Sequence, residues 1–158
     1  MALSVGDAAP DFTLYSDGME AVTLSDALKN GNVLLLFFPG AFTSVCTTEL
    51  NTVNNDLATY TDANVQVFGI STDSPFVLQE FKKANSLTFP LLTDHNAEVS
   101  ALYDSKYDND FTSMNLDRVS KRSAFVIAQD GTIRYAEITA NAGVQPDFEA
   151  IQGVLASL

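Results

Sequence analysis

Six apolar residues in a row, Val33-Leu34-Leu35-Leu36-Phe37-Phe38, stop abruptly at Pro39-Gly40. A strand with one face in water alternates apolar and polar side chains, whereas a run without alternation needs cover on both faces. The run falls far short of the ~20 residues needed to cross a bilayer. The chain must therefore supply helices for both sides of a sheet in which this run is a central strand. Its 158 residues, 46% of them hydrophobic, provide that much apolar surface for one domain spanning 1–158. No internal repeat, low-complexity tract or linker divides it.

Other segments arrange themselves around that strand. Phe12 to Tyr15 and Ala21 to Leu24 flank an Asp17-Gly18 turn signal and predict a hairpin. Ser25 to Leu28 reads as a short helix closed by Asn30-Gly31. Leu50, Val53, Leu57 and Tyr60 recur at helical spacing and predict one amphipathic helix. Val65 to Ser71 is a second buried strand, after which Ser74-Pro75 opens a helix with Val77, Leu78 and Phe81 on its apolar face. A short strand at Leu91 to Thr93 and a helix over Ala97 to Tyr103 follow. Residues 104–117 turn polar, with Tyr107, Phe111 and Met114 interspersed, and read as a surface loop, a substrate entrance or a dimer contact. Ser123 to Ile127 and Thr132 to Ile138, joined by Asp130-Gly131, predict a second hairpin before a last helix from Pro146 to Ala156. A β-α-β half followed by a β-β-α half predicts an α/β, thioredoxin-like fold: a central mixed sheet flanked by helices, with an N-terminal β-hairpin extension.

Charge and cysteine count narrow the function classes. Eight Lys and Arg against twenty Asp and Glu give a net charge of −12, which repels nucleic acid and anionic membranes alike. One cysteine excludes an internal disulfide and points to a reducing compartment. The amino terminus has neither a basic nor an apolar targeting segment, so a soluble, cytoplasmic protein is expected. The single histidine, His95, has no second His or Cys at ligand spacing, so no metal site and no cofactor are expected.

That lone thiol lies in Phe38-Pro39-Gly40-Ala41-Phe42-Thr43-Ser44-Val45-Cys46-Thr47-Thr48-Glu49, where the buried strand ends and the amphipathic helix begins. In a first helical turn the unpaired backbone N–H groups and the helix dipole favour an anion. Helix N-termini bring thiol pKa values down from about 8.5 toward about 4–7, populating the nucleophilic thiolate. Thr43, three residues earlier, stands where its hydroxyl can reach the sulfur or cap the helix. Pro39 stiffens the covering loop. Spacing alone leaves a reactive thiol and a buried packing cysteine both open.

Pro39-x-x-x-Thr43-x-x-Cys46, continued by Thr48-Glu49, resembles the active-site signature of the peroxiredoxins. Gly6 to Phe12, Asp73-Ser74-Pro75 and Arg122 to Ile127 with Asp130-Gly131 resemble that family's other blocks, in order along nearly the whole chain. The resemblance implies a thioredoxin-like fold and a thiol-dependent peroxidase. It implies Cys46 as the cysteine that attacks hydrogen peroxide or an alkyl hydroperoxide, with Thr43 and Arg122 holding thiolate and peroxide by hydrogen bonds. It further implies that the backbone N–H groups of Cys46 and Val45 complete the donor set, that Pro39 shields the sulfur and that Glu49 orients the arginine. Arg118 and Lys121 compete with Arg122, which alone directly precedes the apolar strand. The chain departs from many members in having no resolving cysteine. It is thus similar to the one-cysteine type, the small alkyl hydroperoxide reductase E-like members. An outside thiol is then expected to close the cycle, whether a thioredoxin, a glutaredoxin-like protein or a small thiol, and a homodimer is expected. A thiol-based redox sensor or holdase is the alternative. A thiol–disulfide oxidoreductase is opposed by Thr43, which stands where a Cys-x-x-Cys pair needs its other cysteine.

Overall fold

The computed structural model describes residues 3–158. Strand β3 (Asn32–Phe37) is the predicted central strand, and every residue in it is buried. It pairs in parallel with β4 (Val65–Ser71) and antiparallel with β6 (Ser123–Ile127). Beyond β4 lies β5 (Leu91–Thr93), and beyond β6 lies β7 (Ile133–Ile138). The N-terminal hairpin, β1 (Thr13–Ser16) and β2 (Ala21–Thr23), extends the sheet by pairing β1 antiparallel with β5. The seven strands run β2-β1-β5-β4-β3-β6-β7.

Period-two alternation sends the side chains of β3 to opposite faces, and both faces are covered. Leu34, Leu36 and Phe38 join one core with α2 (Ser44–Asn55), α3 (Leu57–Asp62), α4 (Pro75–Asn85) and α6 (Phe148–Leu155). Val33, Leu35 and Phe37 join the other with α1 (Leu24–Ala27), α5 (Glu98–Leu102), Phe12 and Tyr103. Each such side chain contributes roughly 1.5–3 kcal/mol by leaving water, so the run that dictates the fold also anchors it. Gly69 on β4 lets these layers close, since a Cβ there would lie 2.8 Å from Leu91 Cδ2 and 3.3 Å from Phe38 Cε1. Among the described residues no helix is long and apolar enough to cross a membrane.

Two local expectations change. The helix predicted through Leu50 to Tyr60 breaks at Asp56, whose φ and ψ of −101° and 16° are not helical. Asn54-Asn55-Asp56 are poor interior helix formers, and their cost outweighs the continuous apolar phase. Val77 is exposed, leaving Leu78 and Phe81 as the buried face of α4. Residues 104–117 form a mostly exposed loop of turns, tied to the body where Tyr107 N donates to Val119 O at 2.9 Å and Lys121 N to Ser105 O at 2.6 Å. The bridge Phe111–Leu116 and the ion pair Lys106–Asp117 hold its tip together.

Candidate active site

Pro39, buried, ends β3, and Thr43 takes the N-cap position of α2 with extended backbone (φ −91°, ψ 151°). Cys46 is the third residue of that helix and is fully buried. The hydrogen bond expected from Thr43 to the sulfur does not form, and the side chain does not cap the helix. Its hydroxyl turns back and donates to Gly40 O at 2.8 Å. The amides of Val45 and Cys46 consequently have no acceptor among the described residues. Between Pro39 and Thr43, Phe42 adopts a left-handed φ of 65° and meets Phe81 edge-on at 5.2 Å. Asp73, in the turn after β4, fixes this loop: its Oδ2 accepts from Ala41 N at 2.8 Å and from Ser71 Oγ at 2.7 Å.

Arg122 immediately precedes β6, the antiparallel neighbour of β3, and this pairing brings it across to α2. It is 2% exposed. Nη2 donates to Cys46 Sγ at 3.1 Å, Nη1 to Glu49 Oε2, and Nε and Nη2 both donate to Ala142 O at 3.2 and 2.9 Å. Five guanidinium N–H groups meet four such bonds, which among the described residues leaves one on Nη1 uncommitted. Of the competing cations, Arg118 is exposed and Lys121 lies over the Tyr107 ring at 5.8 Å.

Electrostatically the cluster is a buried cation between two groups able to carry negative charge. Burial alone would lower the Arg122 guanidinium, but Glu49 and Cys46 outweigh it and hold its pKa above the ordinary value. Burial pushes the Glu49 carboxyl up to about 7 against the pull of Arg122, with Glu137 on β7 adding to the rise. Among the described residues Glu49 Oε1 is buried without a partner. One carboxylate oxygen thus holds the arginine while the other is starved of donors, so Glu49 carries its charge reluctantly at neutral pH. A guanidinium shared this way can hold a thiolate and still present a donor to a second anionic oxygen.

Over residues 5–136 the chain matches the AhpC/TSA family. It belongs to that family. Alkyl hydroperoxide reductase E of Mycobacterium bovis is 34% identical over 139 residues, 86% of each protein. Peroxidoxin BcpB from Mycobacterium tuberculosis superposes with a TM-score of 0.86 at 24% identity, over 99% of this chain and 98% of its own. A peroxiredoxin-like protein from Aquifex aeolicus gives 0.87 at 20% identity, over 99% and 88%. These likenesses show the thioredoxin-like α/β fold, and the family makes the protein a peroxiredoxin, a thiol-dependent peroxidase.

Two parts of this peroxiredoxin's site escaped sequence reasoning. Ala142 contributes through its carbonyl oxygen, which no side-chain pattern can advertise. Asp73 lies in the Asp73-Ser74-Pro75 block, but its link to Ala41 joins residues 32 apart in sequence.

Proposed function

We propose that this peroxiredoxin reduces hydrogen peroxide and alkyl hydroperoxides by a one-cysteine mechanism at Cys46. The 3.1 Å contact of Arg122 Nη2 with Sγ, inside a buried cluster, carries the reading. Arg122 stabilises the thiolate while Pro39 keeps bulk water from it. With its proton committed to Gly40 O, the Thr43 oxygen is left as an acceptor for the O–H of a bound peroxide. The thiolate attacks the terminal peroxide oxygen. An S–O bond forms as the O–O bond breaks, and the O–O electron pair leaves on the other oxygen. Arg122 and the amides of Cys46 and Val45 hold that oxygen until a proton from water turns it into alcohol, or into water when the substrate is hydrogen peroxide. Sulfur loses two electrons and becomes the sulfenic acid. Glu49 orients the arginine through Nη1.

No second cysteine exists in the 158 residues to resolve the sulfenic acid. An outside thiol attacks Cys46–SOH, releasing water and leaving a mixed disulfide. A second thiol then frees Cys46 and departs as the external disulfide. A thioredoxin, a glutaredoxin-like protein or a small thiol fits that role. The unpaired thiol supports a reducing cytoplasm as the setting. Exposed Phe42 and Phe76, on segments adjoining the site, support a homodimer.

Equimolar hydrogen peroxide is expected to add one oxygen to the reduced protein at Cys46, read by peptide mass spectrometry, with rapid peroxide loss. Peroxidase activity that survives Cys46→Ser would overturn the reading. Turnover with a panel of thiols identifies the reductant.

A further inference from the structure

The loop that carries Ala142 runs from the end of β7 to the start of α6, and both of its ends are tied down. Upstream, Thr139 N donates to Arg122 O at 3.0 Å. Downstream, Asp147 N donates to Glu137 Oε1 at 2.9 Å, and the Asp147 side chain caps α6 by accepting from Ala150 N at 3.0 Å. The same Glu137 oxygen accepts from Tyr135 Oη at 2.7 Å. Glu137 therefore closes the loop whose Ala142 carbonyl takes two of the Arg122 N–H groups.

Strand register gives Glu137 a second route to the arginine. It stands opposite Ala124 on β6, and cross-strand partners point to one face of the sheet. Ala124 packs in the core that holds Cys46, and Tyr135, two residues before Glu137, packs against that core. Glu137 thus lies on the face covered by α2, where Glu49 presents a buried oxygen that has no donor among the described residues. The charges of Arg122 and Glu137 act on Glu49, and those of Glu49 and Cys46 act on Arg122. Around Glu137 itself stand Tyr135, on its own strand, and Asp147, at the head of α6.

We propose that Glu137 is a positioning residue for the peroxidase reaction, acting on Arg122 from behind through the Ala142 loop and through Glu49. The inference rests on the peroxidase reading above. Burial does most to raise the Glu49 pKa, and the Glu137 carboxylate adds to the rise against the pull of Arg122. With Glu49 neutral, the charge of the guanidinium goes to the thiolate. With Glu49 ionised, the same charge is divided between two anions. The loop completes the arrangement: while Asp147 N is held, Ala142 O stays where Nε and Nη2 need it, and Nη2 stays on Sγ.

Glu137→Gln and Glu137→Ala separate the two routes. Glutamine keeps an oxygen for Asp147 N and Tyr135 Oη but carries no charge, whereas alanine offers neither. Two quantities are followed against pH. One is the infrared carbonyl band of protonated Glu49, identified as the band that Glu49→Gln lacks. The other is the stopped-flow rate of Cys46 oxidation by hydrogen peroxide. In wild type the band should titrate at about 7. In Glu137→Gln its midpoint should fall by about one unit, a usual size for an environmental shift, and the alkaline part of the rate profile should move down with it. Glu137→Ala should add a rate lowered about tenfold across the pH range, because a loosened loop misplaces the arginine. A midpoint unmoved in Glu137→Gln, or one that moves while the rate profile does not, overturns the route through Glu49 and leaves the peroxidase reading standing. Equal rates in the two variants at every pH overturn the route through the loop. Wild type that reduces no peroxide overturns both the proposal and the reading beneath it.

Discussion

Two helices begin at the same edge of the sheet, from the parallel neighbours β3 and β4, and they begin differently. At α4, Pro75 follows Ser74, whose Oγ accepts from Val77 N at 3.3 Å, so the helix start is satisfied from within. At α2 the corresponding threonine turns its hydroxyl away to Gly40 O, and the amides of Val45 and Cys46 stay free among the described residues. A helix start left without its cap costs about 1 kcal/mol, and it is a place where an anion is welcome. The capped start in turn braces the uncapped one through Asp73, which holds Ala41 N. Under the proposed mechanism one strand-to-helix turn serves stability and its neighbour chemistry, with Arg122, 3.1 Å from Cys46 Sγ, supplying the charge that a thiolate at α2 would require.

The strongest way to break this contrast is to remove that charge. Arg122→Ala should slow peroxide-dependent oxidation of Cys46 by about 10²–10³-fold, the usual scale for losing one preorganised donor. It should also destabilise the fold by roughly 3–5 kcal/mol, because Glu49 is left buried without its partner. Stopped-flow peroxide loss and thermal denaturation read the two effects separately. Arg122→Lys keeps a cation but not the fork that reaches Sγ, Glu49 and Ala142 together, so the rate should stay low while much of the stability returns. Equal rates in wild type and Arg122→Ala would remove arginine from the chemistry.

Glu49 makes the same centre sensitive to pH. Its folded-state pKa of about 7 lies above the ordinary 4.5, so between those values the folded state binds more protons than the unfolded one. Stability from this group is therefore present below 4.5 and is lost as pH rises through about 7. Arg122 and Glu137, the charged groups that act on it, pull in opposite directions. The melting temperature of wild type should fall by several degrees more than that of Glu49→Gln across this interval, with both measured at constant ionic strength. Parallel pH profiles would show that the carboxyl is ionised throughout.

How much of this was legible in the sequence depended on the range over which the physics acts. The double burial of Val33 to Phe38 is a local property of period and composition, and it correctly demanded helices on both faces. Ser74-Pro75 as a helix start is equally local. The break at Asp56 was written in Asn54-Asn55-Asp56, but the apolar phase from Leu50 to Tyr60 spoke for continuity, and tertiary burial did not decide between them. Cys46 and Arg122 are 76 residues apart, and no spacing rule joins them. Only the resemblance to a family brought the arginine forward. Ala142 was invisible because a carbonyl oxygen has no residue type. The rotation of the Thr43 hydroxyl toward Gly40 escaped because sequence places a side chain on a turn without fixing which acceptor it chooses.

That rotation can be tested directly. Thr43→Val keeps the shape and removes the oxygen, so a peroxide O–H aligned by Thr43 loses its acceptor. A hydrogen bond between such neutral groups is worth roughly 0.5–1.5 kcal/mol, which amounts to about 2–10-fold in rate. Stability should hardly move, since the residue is exposed and does not cap α2. A loss of stability without a loss of rate would make Thr43 an ordinary turn residue.

Ser74→Ala is the mirror image and the smallest effect. Here the hydroxyl does cap a helix, so its removal should cost about 1 kcal/mol. In a chain of this length that lowers the melting temperature by roughly 2–4 °C. The rate of Cys46 oxidation should be unchanged, because Ser74 bonds only to the start of its own helix and Asp73 keeps its own hold on Ala41. If Ser74→Ala slowed peroxide reduction as much as Thr43→Val, the two helix starts would be one mechanical unit. A division of labour between a capped and an uncapped turn would then be the wrong description of this edge of the sheet.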